Sequence, residues 1–174
     1  NLVPVTLELG GKSPVVISRS ANLKTSLERI LLGKTLNAGQ ICLAPDYLMV
    51  PEENLDKIIT LAKNIVSSMY PNISDNPQYT AIVNDRHFKR LSGYLDEAKE
   101  RGLELITLHP SGRGSLENKN SRKIPPVLIP NPVEDVAIMQ EELFGPILPI
   151  KTYRNFEECI SYINSKPRPL AVYY

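Results

Sequence analysis

Histidine and cysteine are scarce in this chain, two of each in 174 residues. Four such residues, scattered, offer no spacing from which a metal centre is built, so no metal is expected. Two cysteines without secretory features speak against a disulfide framework and for free thiols in a reducing compartment. Net charge is also lacking: 20 basic and 19 acidic residues leave +1. With the signs interspersed there is no electrostatic footprint for nucleic acid or an anionic membrane. No apolar run approaches the roughly 18 residues of a membrane span, and nothing resembles a signal peptide. These absences describe a soluble domain of the cytoplasm with neither nucleic acid nor membrane as partner. A hydrophobic content of 42% and a charged content of 22% suit a globular protein of one sizeable core.

Apolar runs alternate with helical patterns along the chain. Pro14, Val15, Val16 and Ile17 read as a buried strand. Leu23, Leu27, Ile30 and Leu31 then form one helical stripe with Asn22 as N-cap. Tyr47 to Val50 reads as the next strand, followed by the most regular helical pattern: Leu55, Ile58, Ile59, Ala62, Ile65, Val66 and Met69. Asn84 opens a third helix carrying Phe88, Leu91, Leu95 and Ala98, and Gly102 suits its end. Strands are expected over 103–108, 126–129 and 147–153, with an exposed polar loop over 110–120. Asn155 and Glu158 form a capping box for a last helix with Phe156, Cys159, Ile160 and Ile163 on its apolar face. A final strand is expected from Leu170. Strands separated by crossover helices predict one α/β domain: a three-layer, open, mostly parallel twisted sheet with helices on both faces. The chain starts at Asn1 and stops inside an apolar run, so it reads as a piece of a longer protein.

Three runs carry candidate chemistry. In Asn-Ala-Gly-Gln-Ile-Cys at 37–42, a small and bendable approach ends a helix and delivers Cys42 on a loop before a strand. A thiol that attacks a carbonyl needs such access and nearby backbone amides. In Leu-Glu-Leu-Gly-Gly-Lys at 7–12, Glu8 lies between two leucines beside a glycine pair, a setting that desolvates a carboxylate toward general-base use. The alternative is a strand-to-turn junction with Glu8 facing solvent. In Glu-Glu-Leu-Phe-Gly-Pro at 141–146, an acidic pair, an aromatic and a turn suit a ribose diol and a planar ring; the alternative is a helix end running into a turn.

In order and spacing these runs resemble the signatures of the aldehyde dehydrogenase superfamily, with Glu8 and Cys42 34 positions apart. The resemblance extends over essentially all 174 residues. Ala-Pro-Asp-Tyr at 44–47 is similar to the class-3 and coniferyl-aldehyde-dehydrogenase branch, where many others have Ser-Arg in place of Asp-Tyr. The resemblance implies that Cys42 is the nucleophile and forms a thioester, that Glu8 activates the hydrolytic water, and that Glu142 and Phe144 hold the nicotinamide ribose and ring of NAD or NADP. Glu141 receives no role. It also implies an aldehyde substrate and a parent that is a homodimer or homo-oligomer. The cofactor domain would lie upstream and the subunit-joining strand downstream, so residues 1–174 would be the catalytic domain alone.

Other candidates carry less. Cys159 lies on an apolar stripe and reads as an inert core thiol. His87 and His109 sit in charged or loop surroundings. Gly-Arg-Gly-Ser at 112–115 lacks the strand–turn–helix context of a phosphate loop. The rival readings are a cysteine hydrolase or acyltransferase, which needs a histidine base near Cys42, and a scaffold without catalysis.

Overall fold

A computed structural model describes residues 2–109 and 121–174. Five strands, β1 (Pro14–Val16), β2 (Tyr47–Pro51), β3 (Ile106–Thr107), β4 (Val127–Pro130) and β5 (Ile147–Tyr153), make one sheet in the order β1-β2-β5-β4-β3. The β1–β2, β2–β5 and β5–β4 pairs are parallel, and only β3 runs antiparallel, against β4. Five helices, α1 (Leu23–Thr35), α2 (Leu55–Met69), α3 (Asp85–Glu100), α4 (Ala137–Gln140) and α5 (Phe156–Asn164), cover it.

The period-2 geometry of a strand sorts the core into two layers. Val15, Ile17, Leu48, Val50, Leu128, Leu148 and Ile150 face α1 and α2, meeting Leu27, Ile30, Leu31, Ile58, Ala62 and Val66. Their sequence neighbours turn to the opposite face. There Val127, Ile129 and Ile147 pack with Phe88, Leu91 and Leu95 of α3, while Val16, Tyr47 and Met49 pack with Cys159 of α5. This is the three-layer α/β arrangement that the alternation predicts. The caps hold as well: Asn22, Asn84 and Asn155 accept the amides of Thr25, His87 and Glu158 at 3.0–3.1 Å. Gly102 ends α3 in the left-handed conformation, at φ +73°.

Two expectations change. The run 103–108 pairs only at Ile106 and Thr107; Leu108 donates to the Pro126 carbonyl at 2.8 Å, and a proline cannot donate in return, so the ladder stops there. The run from Leu170 makes a single parallel bridge, Tyr173 to Val15, with two backbone bonds of 2.9 and 3.0 Å to Val16 and Pro14. The predicted loop over 110–120 lies outside the described residues. Among the described residues no helix is long and apolar enough to cross a membrane, and no group of histidine, cysteine and acidic side chains is placed to hold a metal.

The connections position the chemistry. Gly10 to Ser13 lead into β1, Cys42 precedes β2, and Glu142 to Pro146 precede β5. All three candidate runs therefore gather at the amino-terminal edge of the parallel strands.

Candidate active site

After α1 the chain enters a tight 3₁₀ turn, Leu36–Gly39, in which Asn37, Ala38 and Gly39 have φ of 50, 54 and 72°. Left-handed backbone at non-glycine residues costs roughly 1–3 kcal/mol each and is retained where the surroundings over-determine it. The surroundings here are specific. Gln40 donates to the carbonyls of Asn37 at 2.9 Å and Ala81 at 3.2 Å, and accepts the Val83 amide at 2.9 Å. A Cβ on Gly39 would lie 2.5 Å from the Gly145 carbonyl oxygen, so the thiol loop and the third run touch backbone to backbone. The turn projects Cys42 into solvent, whereas the other thiol, Cys159, is buried and pushed up to about 11 by burial first and by Glu158 second.

Phe144 lies on the other side of that contact, also left-handed (φ 45°), with its ring exposed. A bulky residue in this conformation is a backbone outlier. Gly145 beside it packs under Leu91, whose methyls would be 2.6 Å from an added Cβ. Glu142 folds back onto the first run: a Cβ on Gly10 would fall 1.9 Å from Glu142 Oε2. Burial raises its carboxyl above the ordinary range, partly countered by the Gly11 amide that donates to it. Gly10, Gly11, Lys12, Glu142, Tyr162 and Arg168 border a cavity of about 260 Å³ beside it.

Of the two readings of Glu8, the described residues show the solvent-facing one. The residue lies in an extended arm leading to β1, where Leu7 and Leu9 are 74% and 72% exposed, and Glu8 is itself exposed rather than partly desolvated. Among the described residues the flanking leucines are not covered. Among the described residues Glu8 makes no hydrogen bond or ion pair. The structure thus brings the Cys42 loop, the Phe144–Gly145 turn, Glu142 and Gly10–Gly11 together, and leaves the Glu8 side chain free in solvent.

Three charged residues at this edge escaped the reading of the sequence. Lys12 pairs with Asp46 and donates to the carbonyls of Ile138 and Glu141, each at 2.8 Å. Asp46, 4% exposed, also accepts the Leu143 amide at 2.9 Å. Lys34 is buried at the end of α1 and lowered to about 8 by desolvation, which the nearby Asp46 opposes. The signal for Lys34 was visible: it continues the stripe of Leu27, Ile30 and Leu31, where an amphipathic helix would put another apolar residue.

Comparison with known proteins decides the family. The sequence profile described as "Aldehyde dehydrogenase family" matches residues 1–173. The chain belongs to the aldehyde dehydrogenase family. It is 53% identical over its whole length to a coniferyl aldehyde dehydrogenase of a Pseudomonas species, covering 36% of that protein. The fold is similar to that of Staphylococcus aureus AldH in a substrate-bound state, with a TM-score of 0.88 and 43% identity over 98% of this chain and 35% of that one. It is also similar to an NADP-dependent glyceraldehyde-3-phosphate dehydrogenase of Bacillus halodurans complexed with NADP, with a TM-score of 0.77 and 25% identity over 91% of this chain and 32% of that one. The chain thus spans about a third of the length of the relatives it matches.

Proposed function

We propose that this chain is the thiol-bearing catalytic domain of an NAD(P)-dependent aldehyde dehydrogenase, with an aldehyde of the coniferyl or another aromatic or aliphatic type as substrate and the carboxylic acid as product. One observation carries the reading: an exposed thiol on a loop of consecutive left-handed residues, backed against the turn that presents Phe144 and Glu142. The names of the relatives support the substrate class, and the NADP-bound relative supports a nicotinamide cofactor, in the NAD or NADP form.

In this mechanism Cys42 Sγ, as thiolate, attacks the aldehyde carbonyl and forms a thiohemiacetal, whose oxyanion the loop amides help to hold. A nicotinamide held by Glu142 and Phe144 would supply the acceptor for the hydride lost from the thiohemiacetal. A thioester on Cys42 remains. Glu8 takes a proton from the water that hydrolyses it, releasing the acid and the thiolate. The site residues fit the cofactor: the Glu142 carboxylate suits a ribose diol, the exposed Phe144 ring suits a planar heterocycle, and side-chain-free Gly10 leaves the close approach that Glu142 occupies.

The test uses the full-length protein that contains this segment. Cys42→Ala should lower NAD(P)-dependent aldehyde oxidation by on the order of a thousandfold or more while leaving cofactor binding largely intact. Glu8→Gln should leave a hydride burst followed by slow turnover; normal steady-state turnover would remove Glu8 from the mechanism. The 174-residue chain alone should bind NAD(P) weakly and not turn over, and robust oxidation by it would overturn the domain assignment.

A further inference from the structure

The backbone on either side of Glu142 is held by charged side chains from three other parts of the chain. Lys12, on the arm before β1, donates to the Ile138 and Glu141 carbonyls at 2.8 Å and pairs with Asp46. Asp46, at the start of β2, accepts the Leu143 amide at 2.9 Å. Arg90, on α3, donates to the Glu142 carbonyl at 3.3 Å and the Leu143 carbonyl at 2.8 Å, and stacks over Tyr94 with 5.3 Å between guanidinium carbon and ring centre. The backbone carbonyls of residues 141, 142 and 143 and the amide of 143 are therefore all fixed by charges.

Asp46 is only four residues beyond Cys42, and the short turn between them is itself closed by the Ala44 amide on the Ile41 carbonyl at 2.9 Å. Its own amide is tied to the Ser13 carbonyl at 2.8 Å. One carboxylate thus joins the thiol loop, the glycine run and the Glu142 loop. Replacing a buried ion pair by well-packed apolar groups is often neutral or favourable for stability, so stability alone is a weak reason for Lys12 and Asp46 to be here. What such a pair supplies is register: three donors of a lysine and two oxygens of an aspartate are satisfied in one arrangement only.

We infer that Lys12, Asp46 and Arg90 are positioning residues that hold the backbone of Glu142 in fixed register with the Cys42 loop, so that the cofactor and the thiol meet at hydride-transfer distance. The hydrogen bonds of the three go to one another, to Tyr94 and to backbone rather than to Sγ, so each acts through the loop it holds. The inference rests on the function proposed above. It adds that removal of the frame impairs cofactor binding and hydride transfer while thioester hydrolysis proceeds normally.

The experiment compares the full-length enzyme with the double variant Lys12→Met/Asp46→Leu, which removes both charges while keeping apolar bulk, and with Arg90→Lys, which keeps the charge but loses the fork. In the double variant KM for NAD(P) should rise and the hydride burst should slow by about tenfold each, with hydrolysis of a pre-formed thioester unchanged. Arg90→Lys should fall between. Should the double variant destabilise the fold, Arg90→Lys and hydrogen exchange at the Leu143 amide carry the test: exchange should quicken by about tenfold when the frame is cut. Wild-type KM and burst in a folded double variant, or unchanged Leu143 exchange, overturn the frame. Absence of NAD(P)-dependent oxidation in the wild type defeats the functional reading instead, and Leu143 exchange still decides the frame.

Discussion

The two edges of the parallel sheet handle charge in opposite ways. At the carboxyl-terminal edge Arg19 pairs with Glu53 at 2.7 Å and Arg154 with Glu52 at 3.0 Å, all with side chains at least half exposed. At the amino-terminal edge Lys12, Lys34 and Asp46 are withdrawn from water, and the backbone beside them is left-handed at Asn37, Ala38 and Phe144. Exposed pairs are screened and entropically loose, so they position little. Buried charges are costly unless every donor and acceptor is matched, so they define one geometry. Parallel α/β sheets usually bind ligands beyond their carboxyl ends. Here the buried charge lies at the other edge, where the loops before β1, β2 and β5 converge.

The largest effect should come from the backbone contact that joins the thiol loop to the Phe144 turn. Gly39→Ala sets a Cβ 2.5 Å from the Gly145 carbonyl oxygen at a residue with φ +72°. The combined clash and left-handed penalty should cost about 3 kcal/mol. Gly102 has almost the same φ, +73°, with open space around its missing Cβ. Gly102→Ala should cost about 1 kcal/mol, the conformational penalty alone. Urea unfolding of both variants checks the comparison, and equal losses would mean that contact between the two loops contributes nothing.

A smaller effect, confined to alkaline pH, should come from Lys34. Its amine, faced by Asp46, Lys12 and Glu142, is lowered from 10.5 to about 8 by burial. The unfolded chain therefore binds the proton more tightly, and stability should rise with pH between about 8 and 10.5, with a limiting slope of about 1.4 kcal/mol per pH unit for one proton. Below pH 8 the buried ammonium exerts its full penalty. Cys159 opposes this trend, since a thiol raised to about 11 loses its contribution as pH rises toward that value. The Lys34→Met variant isolates the lysine: subtracting its pH profile from that of wild type should leave the rising limb. A flat difference would show that Lys34 titrates alike in the folded and unfolded chain, as a solvated amine does.

Much of the fold was legible because it rests on local periodicities. The alternation of Val15 and Ile17 against Val16, the stripe on α2, and the asparagine caps are all visible within a few residues. The failures are nonlocal. Only the pairing of strands shows that Pro126 blunts β3. Nothing in Leu-Glu-Leu decides between a covered and a solvent-facing Glu8, and among the described residues Leu7 and Leu9 are uncovered. At the site, the three runs were legible as runs, but what holds them together was not. Lys12 and Asp46 are 34 positions apart, and Arg90 reaches carbonyls 52 and 53 positions away. Side chain-to-carbonyl bonds of this kind impose no pattern on the acceptor's sequence, since every residue has a carbonyl. Lys34 alone left a local trace, a lysine on an apolar stripe.

The smallest effect should lie at the carboxyl-terminal edge and gives the comparison its baseline. Arg154→Ala removes the pair with Glu52, but the backbone contacts of residue 154 survive: its amide still donates to Glu158 at 3.0 Å and its carbonyl still accepts from Arg19 at 2.8 Å. The Arg154 side chain is 79% exposed, so the guanidinium returns to water it had scarcely left. The urea midpoint should be unchanged within measurement, at low salt and at high salt alike. A clear loss at low salt that disappears at high salt would mean that the exposed network of Arg19, Glu53, Arg154 and Glu52 acts as a unit. In that case the two edges would differ in burial but not in how firmly their charges hold the strands.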